Sequence, residues 1–203
     1  MAVEADSSSP DLNYRTLHRR AVEAVIWGMP LVNYQLMYEA AGRAGGPGDN
    51  QIVYWPGLLD STNQTLTPNP DLIYAMPFFN TMDAGPIVLE VPPASEGGAL
   101  NGSIMNRWQV AIEDIGPAGV DAGQGGRFLI LPPDHSDPIP PGYTPLPSDS
   151  FQGYGLIRSV LRGGSDAYAA PLGSGRVHLT AASGILCCSE NLSTGVTVAP
   201  TPS

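Results

Sequence analysis

Leu66-Thr67-Pro68-Asn69-Pro70-Asp71-Leu72-Ile73-Tyr74-Ala75-Met76-Pro77-Phe78-Phe79-Asn80-Thr81 is the stretch on which the reading of this chain turns. It begins as a polar turn in which Thr67, Asn69 and Asp71 can bond their own backbone, and it runs straight into an apolar, extended, aromatic segment. A second polar cluster, Asp60 to Thr65, lies just before it. Such a junction fits a ligand site on a scaffold. It fits an ordinary loop leading into a strand equally well, because turns need Asn, Asp, Pro and Thr for steric and hydrogen-bonding reasons alone. Pro68, Pro70 and Pro77 confine regular pairing here to short pieces or edges.

Upstream, the pattern is helical. From about Leu12 to Arg43, Leu17, Ala21, Ala24, Val25, Gly28, Leu31, Val32 and Leu36 recur at helical spacing, with Arg15, Arg19, Glu23 and Glu39 on other faces. Pro30 removes one backbone donor, so a kink or a break is expected near Gly28 to Pro30. Gly42 and Gly45-Gly46-Pro47-Gly48 stop the helix. Residues 1 to 11, small and polar, read as a disordered lead-in.

Downstream, the period becomes extended. Gln51 to Trp55, part of Leu66 to Asn80, Pro86 to Val91, Arg127 to Leu131 and Phe151 to Leu161 read as strands, separated by the glycine-rich turn Gly116 to Gly126 and the proline-rich connection Pro138 to Pro147. Ser103 to Ile115 reads as one longer strand. Its alternation puts Ile104, Asn106, Trp108, Val110, Ile112 and Asp114 on the core face. Short strands punctuated by Gly and Pro predict an α+β fold, an N-terminal helical unit followed by a mainly antiparallel β-sandwich. The expected organisation is a single domain over 12–165. The Ala/Ser/Gly/Thr-rich residues 166–203 are expected to form a weakly structured tail, with a short strand at Arg176 to Thr180.

The balance of charge narrows the partners. Nineteen acidic residues against nine basic ones give a net charge of −10, the wrong sign for phosphate backbones, so nucleic acid is not expected as a partner. No stretch approaches 18 consecutive apolar residues, and no membrane partner is expected either. All nine basic residues are Arg, which removes Schiff-base lysines and the phosphate-loop lysine. Cys187 and Cys188 are adjacent and cannot make an unstrained disulfide. With no basic or apolar leader at the N-terminus, this points to a cytoplasmic, soluble protein.

No cofactor signature is present, and no cofactor or metal is expected. Gly123-Gln124-Gly125-Gly126 lacks the spacing of a nucleotide site, and His18, His135 and His178 are scattered. Asp134-His135-Ser136-Asp137 reads as a solvated turn. Glu113 and Asp114 resemble acid/base machinery, but strand neighbours point to opposite faces. A hydrogen-bonded, inward-facing Asp114 near the glycine turn is the favoured reading of that pair, and Trp27, Trp55 and Trp108 are expected in the core.

Six segments taken together resemble the domain of unknown function 1254 family: Ala21 to Pro30, Asn50 to Val53, Thr67 to Tyr74, Pro86 to Pro92, Trp108-Gln109 with Asp114-Ile115-Gly116, and Gly125 to Pro133. Their order and spacing over roughly 14–163 carry the resemblance. It implies a helical piece followed by a β-sandwich, in chains about twice this length whose second half is a β domain of the 1214 unknown-function type and which commonly carry an export signal. On that comparison the chain reads as truncated, with residues from about Ala167 onward a shortened or frame-shifted product. Three functions stay open: a binding or assembly module; an enzyme acting on a small organic substrate, with Asp71 as base and Tyr74 as donor; and a shell-like oligomer. The candidate ligand-binding residues are Asn69, Asp71, Tyr74, Trp108 and Asp114, and the partners to consider are a second copy and a small-molecule ligand. Asp71 and Asp114 on a common cavity would favour the enzyme. An exposed apolar patch around residues 127–161 would favour the module.

Overall fold

The computed structural model of the chain describes residues 10–43, 49–55, 58–59, 69, 71–94, 98–161, 178–181 and 196–198. The helical pattern forms one α-helix, α1 (Pro10–Arg43), which continues through Pro30 instead of breaking there. Proline costs the helix its own donor and crowds the carbonyl four residues back, but long helical stretches flank it on both sides. The Pro30 carbonyl also accepts a bond from Gln109 Nε2 at 2.7 Å.

The helix docks by a different face from the one its small apolar residues suggested. Leu17, Ala21, Ala24, Val25, Val32 and Leu36 are exposed, whereas Pro30, Tyr34, Met37, Tyr38 and Ala41 are wholly or partly covered, again at spacings of three and four. Large side chains remove more apolar surface from water than Ala or Val, so the aromatic face wins the contact. Residues 11–27 are exposed throughout.

Among the described residues ten strands follow: β1 (Gln51–Tyr54), β2 (Leu72–Asn80), β3 (Ile87–Val91), β4 (Gly98–Asn106), β5 (Ala111–Ile115), β6 (Gly126–Leu131), β7 (Thr144–Pro147), β8 (Gln152–Leu161), β9 (His178–Ala181) and β10 (Val196–Val198), with a one-turn helix α2 (Thr81–Ala84) after β2. They make a six-stranded sheet, β10-β1-β2-β8-β4-β5, and a four-stranded sheet, β7-β6-β3-β9. All pairs are antiparallel except β1 with β10 and β6 with β7. An N-terminal helix on mainly antiparallel sheets is the α+β arrangement the sequence implied.

Alternation along the strands builds two apolar layers. Ile73, Ala75, Phe79, Ile104 and Ile157 of the larger sheet meet Ile87, Leu89, Phe128, Ile130 and Leu146 of the smaller one. On the other face of the larger sheet, Val53, Met76, Phe78 and Tyr154 pack under Tyr34 and Met37 of α1. The proline-rich connection also has a structural role: Ile139 and Tyr143 cover Val88, Leu129 and Leu131 on the outer face of the smaller sheet.

Pro77 does not confine β2 to an edge. The strand lies between β1 and β8 and pairs with both. Its ladder with β8 runs from Leu72 to Ala75 and resumes at Phe78, leaving a gap where Pro77 lacks a donor. Gly155 makes room for the ring, since a Cβ there would lie 2.8 Å from Pro77 Cγ.

The expected single strand from Ser103 to Ile115 is a hairpin. Asn106 Oδ1 accepts the N–H groups of Trp108 (2.9 Å) and Val110 (3.0 Å), and Gln109 adopts a φ of 62°, so the chain reverses. Beyond the turn a register shift changes the facing order. Ile115 is buried, and Asp114 lies exposed beside Ser103. Within 166–203, β9 joins the smaller sheet and β10 the larger; the other residues of that stretch, like the lead-in 1–9, lie outside the described residues.

Candidate functional site

The stretch from Asn69 to Tyr74 closes on itself. Asn69 Oδ1 accepts the Asp71 N–H at 2.9 Å, its carbonyl accepts the Leu72 N–H at 3.4 Å, and its own N–H donates to the Tyr74 hydroxyl at 2.9 Å. This is a side-chain-stapled turn leading into β2, and its polar capacity goes to its own backbone. The Asp71 residue is exposed. Tyr74 is buried, with the Arg158 guanidinium 5.9 Å from its ring centroid, in the range of a cation–π contact.

The other two candidates lie elsewhere. Trp108, in the β4–β5 turn, packs on Trp27 of α1 with centroids 4.8 Å apart. Trp27 is otherwise 70% exposed and is not a core residue. Asp114 is on the edge strand β5, where it accepts a 2.6 Å bond from Ser103 Oγ. Two strands, β8 and β4, stand between Tyr74 and Asp114, a separation of about 14 Å at ~4.8 Å per strand. The structure thus brings Asn69, Asp71 and Tyr74 together and leaves Trp108 and Asp114 apart.

A denser constellation forms where α1 meets the larger sheet. Tyr34 and Tyr38 lie one helical turn apart and meet Phe78 of β2 and Tyr154 of β8, with ring centroids 5.7 to 6.4 Å apart. Polar groups rim both ends. At one, the Tyr38 hydroxyl donates to Asp49 Oδ1 (3.0 Å) and Asn80 Nδ2 to Asp49 Oδ2 (2.7 Å), while Asn50 bonds both the N–H and the carbonyl of Asn80. At the other, Gln109 Oε1 accepts from Asn33 Nδ2 and from the Tyr154 hydroxyl, each at 3.3 Å.

Burial is the first cause that raises all three phenol pKa values above the ordinary range. The Asp49 carboxylate adds to it at Tyr34 and Tyr38, and Arg107 partly offsets it at Tyr34. These hydroxyls stay protonated at neutral pH. They can donate hydrogen bonds but cannot serve as bases. The Arg107 Nε beside them is buried without a partner among the described residues. Among those residues no group of three His, Cys, Asp or Glu side chains could hold a metal ion, and Asp134 to Asp137 form a surface turn. No described helix is long and apolar enough to cross a membrane.

Sequence reading missed this aromatic joint because it weighed the small-residue stripe of α1; the spacing of Pro30, Tyr34, Met37, Tyr38 and Ala41 carried the signal. It also missed Asp121, which ties the glycine turn by accepting the N–H of Gly116 (2.6 Å) and of Gly125 (2.9 Å).

The sequence matches the family model described as Protein of unknown function (DUF1254) over residues 50–179, more than half of the chain. No curated protein matches it. Among solved structures, the fold is similar to the crystal structure of the VPA0106 protein from Vibrio parahaemolyticus, with a TM-score of 0.60 at 18% identity, over 89% of this chain and 41% of that one. That likeness concerns fold alone, and the match spans less than half of the relative's length. An uncharacterized protein from Burkholderia cenocepacia aligns over 56% of this chain and 33% of its own, at 13% identity and a TM-score of 0.36, too low to support an argument.

Proposed function

The chain belongs to the DUF1254 family of proteins of unknown function, and from that premise we propose that it is a binding or assembly module, a helix-bearing β-sandwich that works against another polypeptide. The observation that carries this reading is the projecting half of α1. Residues 11–27 are all exposed, a rod of about 26 Å at 1.5 Å per residue. Leu12, Tyr14, Leu17, Val22, Val25, Ile26 and Trp27 show large apolar surface along it. Isolated helices of this length are marginal in water, and so many large apolar side chains left exposed round one favour a helix that is covered by a partner. Around residues 127–161, where a second domain was expected to dock, Phe151 is the one exposed large hydrophobic among the described residues. The face to be covered is therefore on the helix.

The adjacent Cys187 and Cys188 support a reducing, cytoplasmic setting. Thermal unfolding of a Val25→Glu, Met29→Glu variant at high dilution tests the module reading. Surface changes cost within about 0.5 kcal/mol, so the melting temperature should stay within a few degrees of wild type. A large drop would mean that the same chain already covers this face, and the reading would fall.

A further inference from the structure

Resting on the module reading, we propose that the polypeptide covering α1 is α1 of a second copy of this chain, packed antiparallel along Val22, Val25, Met29, Val32 and Leu36. These five side chains are 46–66% exposed. Their spacing is three, four, three, four, the a/d seam of two heptads that lets one helix pack along another at a shallow angle. At 100° per residue the seam lies about 150° round the helix from the face formed by Tyr34, Met37 and Tyr38, so one side of α1 sits on its own sandwich while the other faces outward.

Charge favours a second copy and sets its direction. α1 carries Arg15, Arg19, Arg20 and Arg43 against Asp11, Glu23 and Glu39, a net +1, which leaves −11 on the rest of a chain whose total is −10. In an antiparallel pair the arginine-rich N-terminal half of each helix runs along the C-terminal half of the other and over its acidic sandwich. A parallel pair would set Arg15, Arg19 and Arg20 of the two copies side by side, which like-charge repulsion opposes. A two-fold axis needs one self-complementary patch, and a seam of identical apolar side chains supplies it. With each side chain about half exposed, pairing covers on the order of 1,000 Å² over both copies, the size of a weak, reversible interface. Alternating a and d layers place Val25 opposite Leu36 of the second copy and Met29 opposite its Val32.

Sedimentation of the full chain over a wide concentration range, with cysteine cross-linking, tests the proposal. The expected result is a concentration-dependent dimer with a dissociation constant in the micromolar range, weakened at least tenfold by Met29→Glu with unchanged far-ultraviolet circular dichroism. In a background with Cys187→Ser and Cys188→Ser, Val25→Cys combined with Leu36→Cys should give a disulfide-linked dimer under mild oxidation, and Val25→Cys alone should not. A chain that stays monomeric at every concentration overturns the second copy as partner; the module reading is then judged separately by the dilute melting experiment. A dimer that survives Met29→Glu, or one that cross-links through Val25→Cys alone, overturns the antiparallel helix pair.

Discussion

At the scale of single residues, two aspartates seven positions apart carry different weights. Asp121 accepts two backbone N–H groups of the glycine turn and sits partly buried, whereas Asp114 is exposed with a hydroxyl partner. Removing a carboxylate that satisfies two backbone donors leaves them without partners, at a cost of about 1–3 kcal/mol. Asp121→Ala should therefore lower the urea midpoint clearly, and Asp114→Ala should change stability by less than about 1 kcal/mol. Equal effects from the two variants would refute this ranking. Sequence alone favoured Asp114 because unbroken alternation from Ile104 put it inside. Asn106 broke that alternation by folding its side chain onto the N–H groups of Trp108 and Val110, and a lone Asn within an apolar run is a weak turn signal without a following Gly.

At the scale of elements, β2 shows how a central strand tolerates proline. Gly155 on β8 leaves space for the Pro77 ring, and a Cβ added there would stand 2.8 Å from Pro77 Cγ and 3.1 Å from Ile104 Cδ1. Overpacking of this kind costs about 1–3 kcal/mol, so Gly155→Ala should destabilise the protein by that amount in denaturant unfolding. Pro77→Ala should recover part of the loss when the two changes are combined, and strictly additive effects would show that the ring is not the obstacle. The strands β3 and β6 were legible, because Ile87-Val88-Leu89 and Arg127 to Leu131 are bounded by Gly and Pro, whereas β7 was hidden in what reads as a proline-rich connection. The existence of α1 was legible too. Its docking face was not, since the helix carries apolar residues on more than one side and only the aromatic surface of Phe78 and Tyr154, distant in sequence, selects Tyr34 and Tyr38. For the same reason the Asn69–Tyr74 turn, local in sequence, could be read as a turn, while the aromatic joint, assembled from three separated segments, left only the spacing of its α1 residues as a signal.

At the scale of the whole molecule, the sandwich and α1 are joined through that aromatic layer, and its phenols make the joint sensitive to alkali. Burial raises the pKa of Tyr34, Tyr38 and Tyr154 in the folded protein above the ordinary value of about 10. The unfolded chain therefore loses these protons first as pH rises. The stability they contribute is fully present below pH ~10 and is lost progressively above it, as the pH climbs towards the folded values. The absorbance of these three tyrosinates should accordingly rise only above the pH at which free tyrosine titrates, together with a loss of helical circular dichroism as α1 leaves the sheet. Tyr34→Phe keeps the ring packed and removes the most strongly shifted ionisation, so its alkaline unfolding midpoint should lie above that of wild type. Titration of Tyr34, Tyr38 and Tyr154 near pH ~10 like free tyrosine, with the helix signal unchanged, would show that the joint is open to water and that α1 is not held to the sandwich through these rings.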